Sequence, residues 1–487
     1  MQLPRLIQGG MGAGVSGWVL AREVSSLGQL GVVSGTALDS MLVRRLHDGD
    51  AGGHMRRAMS AFPIPTVAER VLTRYFQPSG TDGQGAPHRD GQSRYQLLPL
   101  MRAKLSIERQ GLIALANFVE VWLAKEGHCG VVGINLLEKI QMPSLPSLYG
   151  AMLAGVDVVL MGAGIPAEIP AVLDRLTRHL SVSISLAVLD KQPDDTFELT
   201  FDPRALADES VTGLPLARPQ FLPIIASVVL AKALLKKAPD GIDGLVIEGP
   251  TAGGHNAPPR GQLQLSQSGE PVYGERDVVD LEQIKALGVP FWLAGGYASR
   301  EKFAAAIAAG ARGIQTGTVF ALCAQSGLDP ALRERFLASV LRGDSHVFTD
   351  PLASPTGFPF KVARLENTLS EADLYAERPR LCDLGYLRRA YRKDDGTLGY
   401  RCPGEPVDDY IYKGGKLEET VGRKCLCNGL VANIGQPQRR ADGYEELPML
   451  TVGDDLECVK PFVSEGKLRF TARDVIESLM PAEPVEA

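Results

Sequence analysis

Gly244-Leu245-Val246-Ile247-Glu248-Gly249-Pro250-Thr251-Ala252-Gly253-Gly254-His255-Asn256 joins a short apolar run to a glycine-rich loop that carries a histidine. An uninterrupted apolar run bounded by glycines reads as a strand buried on both faces. Similar runs recur on both sides of it. Leu6-Ile7-Gln8, Gly31 to Ser34, Val131 to Asn135 and Val156 to Met161 precede it, as does Phe221 to Ala226. Pro290 to Ala294 and Gly313 to Gln315 follow it. A helix-like segment comes after each run. Such alternation means a parallel sheet covered on its outer side, and eight units close a ring. The expected fold class is therefore α/β, a (β/α)8 TIM barrel with insertions and a C-terminal extension.

The barrel is expected over residues 1–345 and the extension over 346–487. An insertion at about 48–105 contains a Gly/Ser/Gln-rich tract, Gln77 to Ser93, expected to be loop-like or mobile. Ile107 to Lys125 reads as a helix leading into the third strand. A hairpin excursion is expected at about 181–220, with Ser181 to Leu189 pairing with Phe197 to Phe201. After about Phe348 the βα alternation stops, and Pro481 to Ala487 reads as a disordered end.

Composition narrows the function classes. Hydrophobic residues make up 45% of the 487, enough for a sizeable core. The net charge of −6 argues against nucleic acid or a membrane surface as partner, since both select a basic face. The longest apolar candidate for a membrane span, Phe221 to Leu235, is interrupted by Lys232. The N-terminus lacks the basic-then-apolar pattern of a signal peptide. Seven cysteines do not suggest a secreted disulfide scaffold, so the expected location is cytoplasmic and the expected partner a small-molecule substrate.

Gly12-Ala13-Gly14-Val15-Ser16-Gly17 fits GxGxxG, but no acidic residue ends the next strand, which disfavours a dinucleotide fold. The wider string Gln8-Gly9-Gly10-Met11-Gly12 offers bare backbone against which a flat ring can lie. His255 is the histidine with the strongest functional context. It follows Gly253-Gly254 at a strand end, where a barrel keeps its catalytic loops, and an imidazole can accept or donate a proton near neutral pH. Gly295-Gly296 and Gln315-Thr316-Gly317-Thr318 follow the last two strands, where barrels bind phosphate. Thr316 and Thr318 can add hydroxyl donors. There is no Walker A string, so a mononucleotide with one terminal phosphate fits better than a nucleoside triphosphate.

Five strings occur in order: QGGMG from Gln8, VGIN ending at Asn135, AGGH ending at His255, AGGY from Ala294 and QTGT from Gln315. Together they resemble the nitronate monooxygenase (2-nitropropane dioxygenase) family over about residues 5–325. The resemblance implies a TIM barrel, bound FMN and a histidine base acting on a nitroalkane or its nitronate. Carried over by position, Gly10, Met11, Gly12, Asn135, Gly253 and Gly254 would touch the flavin. Gly295, Gly296, Gln315, Thr316, Gly317 and Thr318 would hold its phosphate, and His255 would be the base.

Two positions depart from the family loop. Glu248 stands where Gln is usual and Thr251 where Glu is usual. A carboxylate from Glu248 beside the flavin would disfavour its anionic reduced form. The insertion, the tail and Ser354-Pro355-Thr356-Gly357-Phe358-Pro359-Phe360-Lys361 resemble a subfamily that includes trans-acting enoyl reductases of polyunsaturated-fatty-acid and polyketide synthases. The implied activity is FMN-dependent oxidation of a nitronate with O2. The alternatives are NAD(P)H-dependent enoyl or quinone reduction, with a carrier-protein-bound acyl chain as partner, and a non-catalytic assembly role.

Cys382, Cys402, Cys425 and Cys427 lie in the tail, where regular apolar periodicity is scarce. Four thiolates can hold zinc or an iron–sulfur cluster, and metal can supply folding free energy to a small core. Arg423 and Lys424 are expected to lower the thiol pKa values. Buried free thiols are the favoured reading, with a shared metal site as the alternative put to test.

Overall fold

Eight parallel strands form one sheet: β1 (Leu6–Gln8), β2 (Gly31–Ser34), β3 (Val132–Leu137), β4 (Val158–Gly162), β5 (Gln220–Ile225), β6 (Leu245–Glu248), β7 (Phe291–Ala294) and β8 (Gly313–Thr316). The computed structural model describes residues 2–78, 93–238 and 241–480. Each strand pairs in parallel with its successor from β2 to β8, and Leu6 pairs with Ile314 to join β1 to β8.

The ring closes between β1 and β2 just ahead of β2. Leu30 N donates to Leu6 O at 3.1 Å, and Gln8 N donates to Leu30 O at 2.9 Å. The Gln8 side chain then continues the ladder. Its Oε1 accepts from Val32 N at 2.9 Å, and its Nε2 donates to Ser16 Oγ at 2.8 Å. A strand of three residues thus gains an extra rung from a buried amide. The structure is the expected (β/α)8 barrel.

Side chains alternate across each strand, so one set points into the barrel and the other toward the helices. Ile7, Val32, Val158, Leu160, Leu222, Val246 and Trp292 pack together as the barrel interior. Trp292 is buried and its indole N–H donates to Pro4 O at 3.0 Å, plugging the N-terminal end. The alternate residues, such as Leu245 and Ile247, belong to the larger core beneath the helices.

The helix Ile107–Lys125 has the predicted bounds. Ser106 Oγ caps it by accepting from Arg109 N. Its apolar residues cover most of its faces because it lies among the helices Trp18–Ser26, Leu38–His47 and Ser144–Leu153, with the insertion helices His54–Ser60 and Pro65–Tyr75 packed beside it. Most of the Gln77 to Ser93 tract, residues 79–92, lies outside the described residues, as does the 481–487 end. The excursion forms the expected antiparallel pair, Val182–Ser185 with Glu198–Phe201. Sequence reading did not anticipate that Val188–Leu189 pairs in parallel with Arg389–Arg392 of the tail.

Beyond the barrel, His346–Asp350 and Phe360–Arg364 form an antiparallel hairpin, and Arg389–Arg392 pairs with Leu398–Arg401. The helix Leu426–Ala432 and the terminal helix Ala472–Leu479 follow. The tail shares one continuous apolar core with the barrel helices. No described helix is long and apolar enough to cross a membrane.

Replacing Gln8 by Leu removes the acceptor of the Val32 N–H and leaves that buried donor unpaired. Urea denaturation should register a loss of about 1–3 kcal/mol. An unchanged midpoint and slope would mean that the ring does not depend on this rung.

Candidate active site

The C-terminal ends of the strands open into a cavity of about 600 Å³. It brings together every barrel residue singled out from the sequence: Gly10, Met11, Gly12, Asn135, Glu248, Gly253, Gly254, His255, Gly295, Gly296 and Gln315 to Thr318. The period-two alternation explains the floor. Asn135, Glu248 and Gln315 lie two residues beyond Gly133, Val246 and Gly313, so their side chains form the uppermost inward layer of the barrel.

Three polar atoms of residues lining this cavity are buried without a hydrogen-bond partner: Asn135 Oδ1 and Gln315 Oε1 from the inward layer, and Thr316 Oγ1 beside it. Buried polar groups are ordinarily paired, so three orphans at one cavity point to a polar ligand. Asn135 is oriented by its other end, since Nδ2 donates to Gly10 O at 2.8 Å. A Cβ on Gly10 would lie 2.3 Å from the Cβ of Asn135, so this close approach requires glycine. Gly295 and Gly296 have φ of 85° and 76°, which also favours glycine.

The loop after β6 departs from expectation in what its glycines accommodate. A Cβ on Gly253 would meet Gly453 N at 2.8 Å, so this glycine admits the tail. Gly254 N donates to Thr451 Oγ1 at 3.0 Å, and Gly453 N donates to Thr318 Oγ1 at 2.9 Å. Thr318 therefore receives a tail N–H and retains its hydroxyl hydrogen and one lone pair for a ligand. The other side of the loop is stitched to the tail hairpin. Lys361 N donates to Gly254 O, and Asn256 N donates to Pro359 O, both at 2.9 Å.

His255 sits within this clamp. Its Nε2 lies 2.7 Å from Ser354 Oγ, which contacts Thr356 Oγ1 at 2.8 Å, and its ring meets Phe360 edge-on at 4.9 Å. Burial lowers its pKa to about 4, so the imidazole is neutral at pH 7. This corrects the expectation of titration near neutrality. Glu248 is shifted the other way. Burial raises its pKa to about 7, close to the pH at which proton transfer in either direction is easiest.

Sequence reading missed much of the wall. Phe358, Leu430 and Val452 from the tail line the cavity, as do Lys139 and Arg260. The segment from Ser354 to Lys361 was the one visible signal. Lys361 anchors it, with Nζ 2.6 Å from Asp454 Oδ2 and 2.7 Å from Thr349 Oγ1.

Cys382, Cys402, Cys425 and Cys427 do converge, on a separate small cavity, and Cys427 also reaches the main one. The expected zinc or iron–sulfur site is not formed. Among the described residues no group of three or more His, Cys, Asp or Glu side chains is arranged to hold a metal ion. Burial pushes the Cys382 thiol up to about 12 and raises those of Cys402, Cys425 and Cys427. Arg378 and Arg388 oppose the rise at Cys425 and Cys382 without overcoming burial, and the two expected cations are directed elsewhere. Arg423 Nη1 donates to Leu352 O and Ser354 O, and Lys424 Nζ donates to Leu369 O.

The Glu248 shift has a defined sign in stability. Folded Glu248 holds its proton to about pH 7, whereas an unfolded carboxyl loses it near 4.5. The contribution is complete below 4.5 and disappears as pH rises through 7. The Glu248→Gln variant, which mimics the protonated form, should therefore gain stability relative to the parent between pH 4.5 and 7. Urea melts across that range test it, and a pH-independent difference would rule out a buried, protonated carboxyl.

Comparison with known proteins identifies relatives over part of the chain. A nitronate monooxygenase family model matches residues 204–351, which contain β5 to β8 and the His255 loop. A probable nitronate monooxygenase of Bacillus subtilis (strain 168) is 34% identical over 97 residues, 20% of this chain and 26% of that protein. The (3aS,4S,5R,7aS)-5-hydroxy-7a-methyl-1-oxo-octahydro-1H-indene-4-carboxyl-CoA dehydrogenase of Mycobacterium tuberculosis (strain ATCC 25618 / H37Rv) is 30% identical over 143 residues, 29% of this chain and 36% of that protein. The chain thus aligns with about a third of the length of the curated relatives it matches. The structure of FabK from Thermotoga maritima aligns over 77% of this chain and 76% of that one, at 17% identity and a TM-score of 0.38. Through the second half of its barrel, the chain is related to the nitronate monooxygenase family.

Proposed function

We propose that the chain is an FMN-dependent oxidoreductase whose active site is the cavity at the barrel mouth. The observation that carries this reading is the set of orphaned polar atoms, Asn135 Oδ1, Gln315 Oε1 and Thr316 Oγ1, at a floor where glycines leave backbone bare. These groups suit the polar edge of a flavin ring. Gly295, Gly296 and Gly317 offer backbone N–H groups to its phosphate, with the Thr316 and Thr318 hydroxyls beside them. FMN, when bound, supplies two-electron chemistry between an organic substrate and either O2 or a nicotinamide.

The preferred reaction is oxidation of a nitronate or nitroalkane with O2. His255 is unprotonated at neutral pH, the state a base requires, and Ser354 and Phe360 fix its ring. Its low pKa makes it a weak base, better suited to a preformed nitronate than to a nitroalkane. Glu248, inward and titrating near pH 7, is the second group able to hold or release a proton.

Two observations favour a second reading, NAD(P)H-dependent reduction of an enoyl thioester. The tail adds Phe358, Leu430 and Val452 to the cavity wall, an apolar surface suited to an acyl chain. One relative is named a carboxyl-CoA dehydrogenase.

Purified protein should carry or take up FMN. Nitronate-dependent O2 uptake supports the first reaction. Flavin bleaching by NAD(P)H, reversed by an enoyl thioester, supports the second. Inertness to every donor with FMN bound would favour a non-catalytic role, and failure to bind FMN would overturn the cofactor assignment. The His255→Asn variant should retain flavin and lose roughly 10²–10⁴-fold in turnover. Loss of flavin with no separate rate defect would make His255 a structural residue.

A further inference from the structure

A second cavity of about 600 Å³ lies between the insertion helix Pro65–Tyr75, the 98–106 segment and the N-terminal turn of Ile107–Lys125. Its lining holds six cationic side chains, Arg70, Arg74, Arg102, Lys104, Arg109 and Arg388, and one carboxylate, Glu108. In a chain of net charge −6 this local excess is unexpected. Arg70, Arg74, Arg102 and Lys104 make no ion pair with a carboxylate among the described residues. Hydrogen bonds from its own backbone N–H and from Ser106 lower the pKa of Glu108, and Arg70 and Arg74 add to the effect.

The deeper cations are fixed but unsaturated. Arg109 pairs with Asp39 at 2.6 Å, and its side chain is 11% exposed. Its Nε and Nη1 are buried without a hydrogen-bond partner. Arg388 Nη2 donates to Met101 O at 2.6 Å, while its Nε is also buried without a partner. Arg70, Arg74, Arg102 and Lys104 are exposed, so solvent screens much of their mutual repulsion, and an anion among the six cations would relieve the rest, most of all at the buried nitrogens of Arg109 and Arg388. Guanidinium forks match phosphate oxygens in geometry. The remaining wall is apolar, including Val71, Tyr75, Leu98 and Leu112.

We propose that this cavity binds a phosphorylated small molecule of the nucleotide class, with its phosphates among the arginines and its ring against the apolar wall. The volume falls in the range of small-ligand pockets, and a concave site of this kind favours a small molecule over an acidic protein surface. A chain of side-chain contacts links the cavity to the main one. Asp39, the partner of Arg109, accepts from the Tyr386 hydroxyl at 2.5 Å, and Tyr386 lines the main cavity. The assignment is independent of the reaction proposed there.

Calorimetric titration of the full-length protein tests it. The probes are adenosine 3′,5′-bisphosphate, AMP, inorganic phosphate and a glutamate-rich peptide, all at one ionic strength. The bisphosphate should bind most tightly. Losing charge-assisted hydrogen bonds in the Arg70→Gln/Arg74→Gln variant should weaken binding by about tenfold or more. The Arg102→Gln/Lys104→Gln variant should do the same, and thermal melts of both should match the parent. Equal affinity for all four probes, tighter binding of the peptide, or full bisphosphate affinity in both variants would overturn the proposal.

Discussion

The two-residue alternation of short parallel strands is the constraint on which the rest depends. Each strand presents one set of side chains to the helices and the other to the barrel axis. Below, the inward set is apolar and includes Ile7, Val32, Leu160, Val246 and Trp292. One step higher, β3, β6 and β8 present Asn135, Glu248 and Gln315. The change from apolar to polar along one face divides a packed core from the polar floor of the cavity. It also sets the Glu248 pKa, because burial beside apolar layers penalises the carboxylate.

The tail completes what the barrel begins. Backbone hydrogen bonds from Lys361 N and to Pro359 O hold the His255 loop on one side, and Thr451 Oγ1 holds it on the other by accepting from Gly254 N. A histidine flanked by glycines would otherwise sample many positions, since glycine adds backbone freedom. Here Ser354 and Phe360 restrict the ring. The tail thus shapes the cavity and orients the His255 ring, with Lys361 and Asp454 tying its two contributing segments together.

The failed expectations share a cause. Neither the spacing of the four cysteines nor the cations beside Cys425 revealed orientation. Arg423 and Lys424 turn to backbone carbonyls, and the thiols are desolvated. The imidazole pKa was misjudged for the same reason. Burial is a property of the packed molecule, and it shifted His255 and Glu248 in opposite directions because one is charged when protonated and the other when deprotonated. The cationic cavity went unnoticed in sequence because Arg70, Arg102 and Arg388 lie on three separate segments.

The sequence by itself determined the eight strands, their order, the long helix from Ile107 to Lys125 and the residues of the cavity floor. Those features are local: apolar runs with glycine ends set each strand, and the position of a residue within its run sets the face it occupies. Tertiary structure alone decided which distant segments meet. It placed the 354–361 and 451–453 segments against the His255 loop, paired Val188–Leu189 with Arg389–Arg392, and turned Arg423 and Lys424 away from the thiols. Such contacts depend on packing between segments far apart in the chain, and no periodicity within either segment encodes the partner.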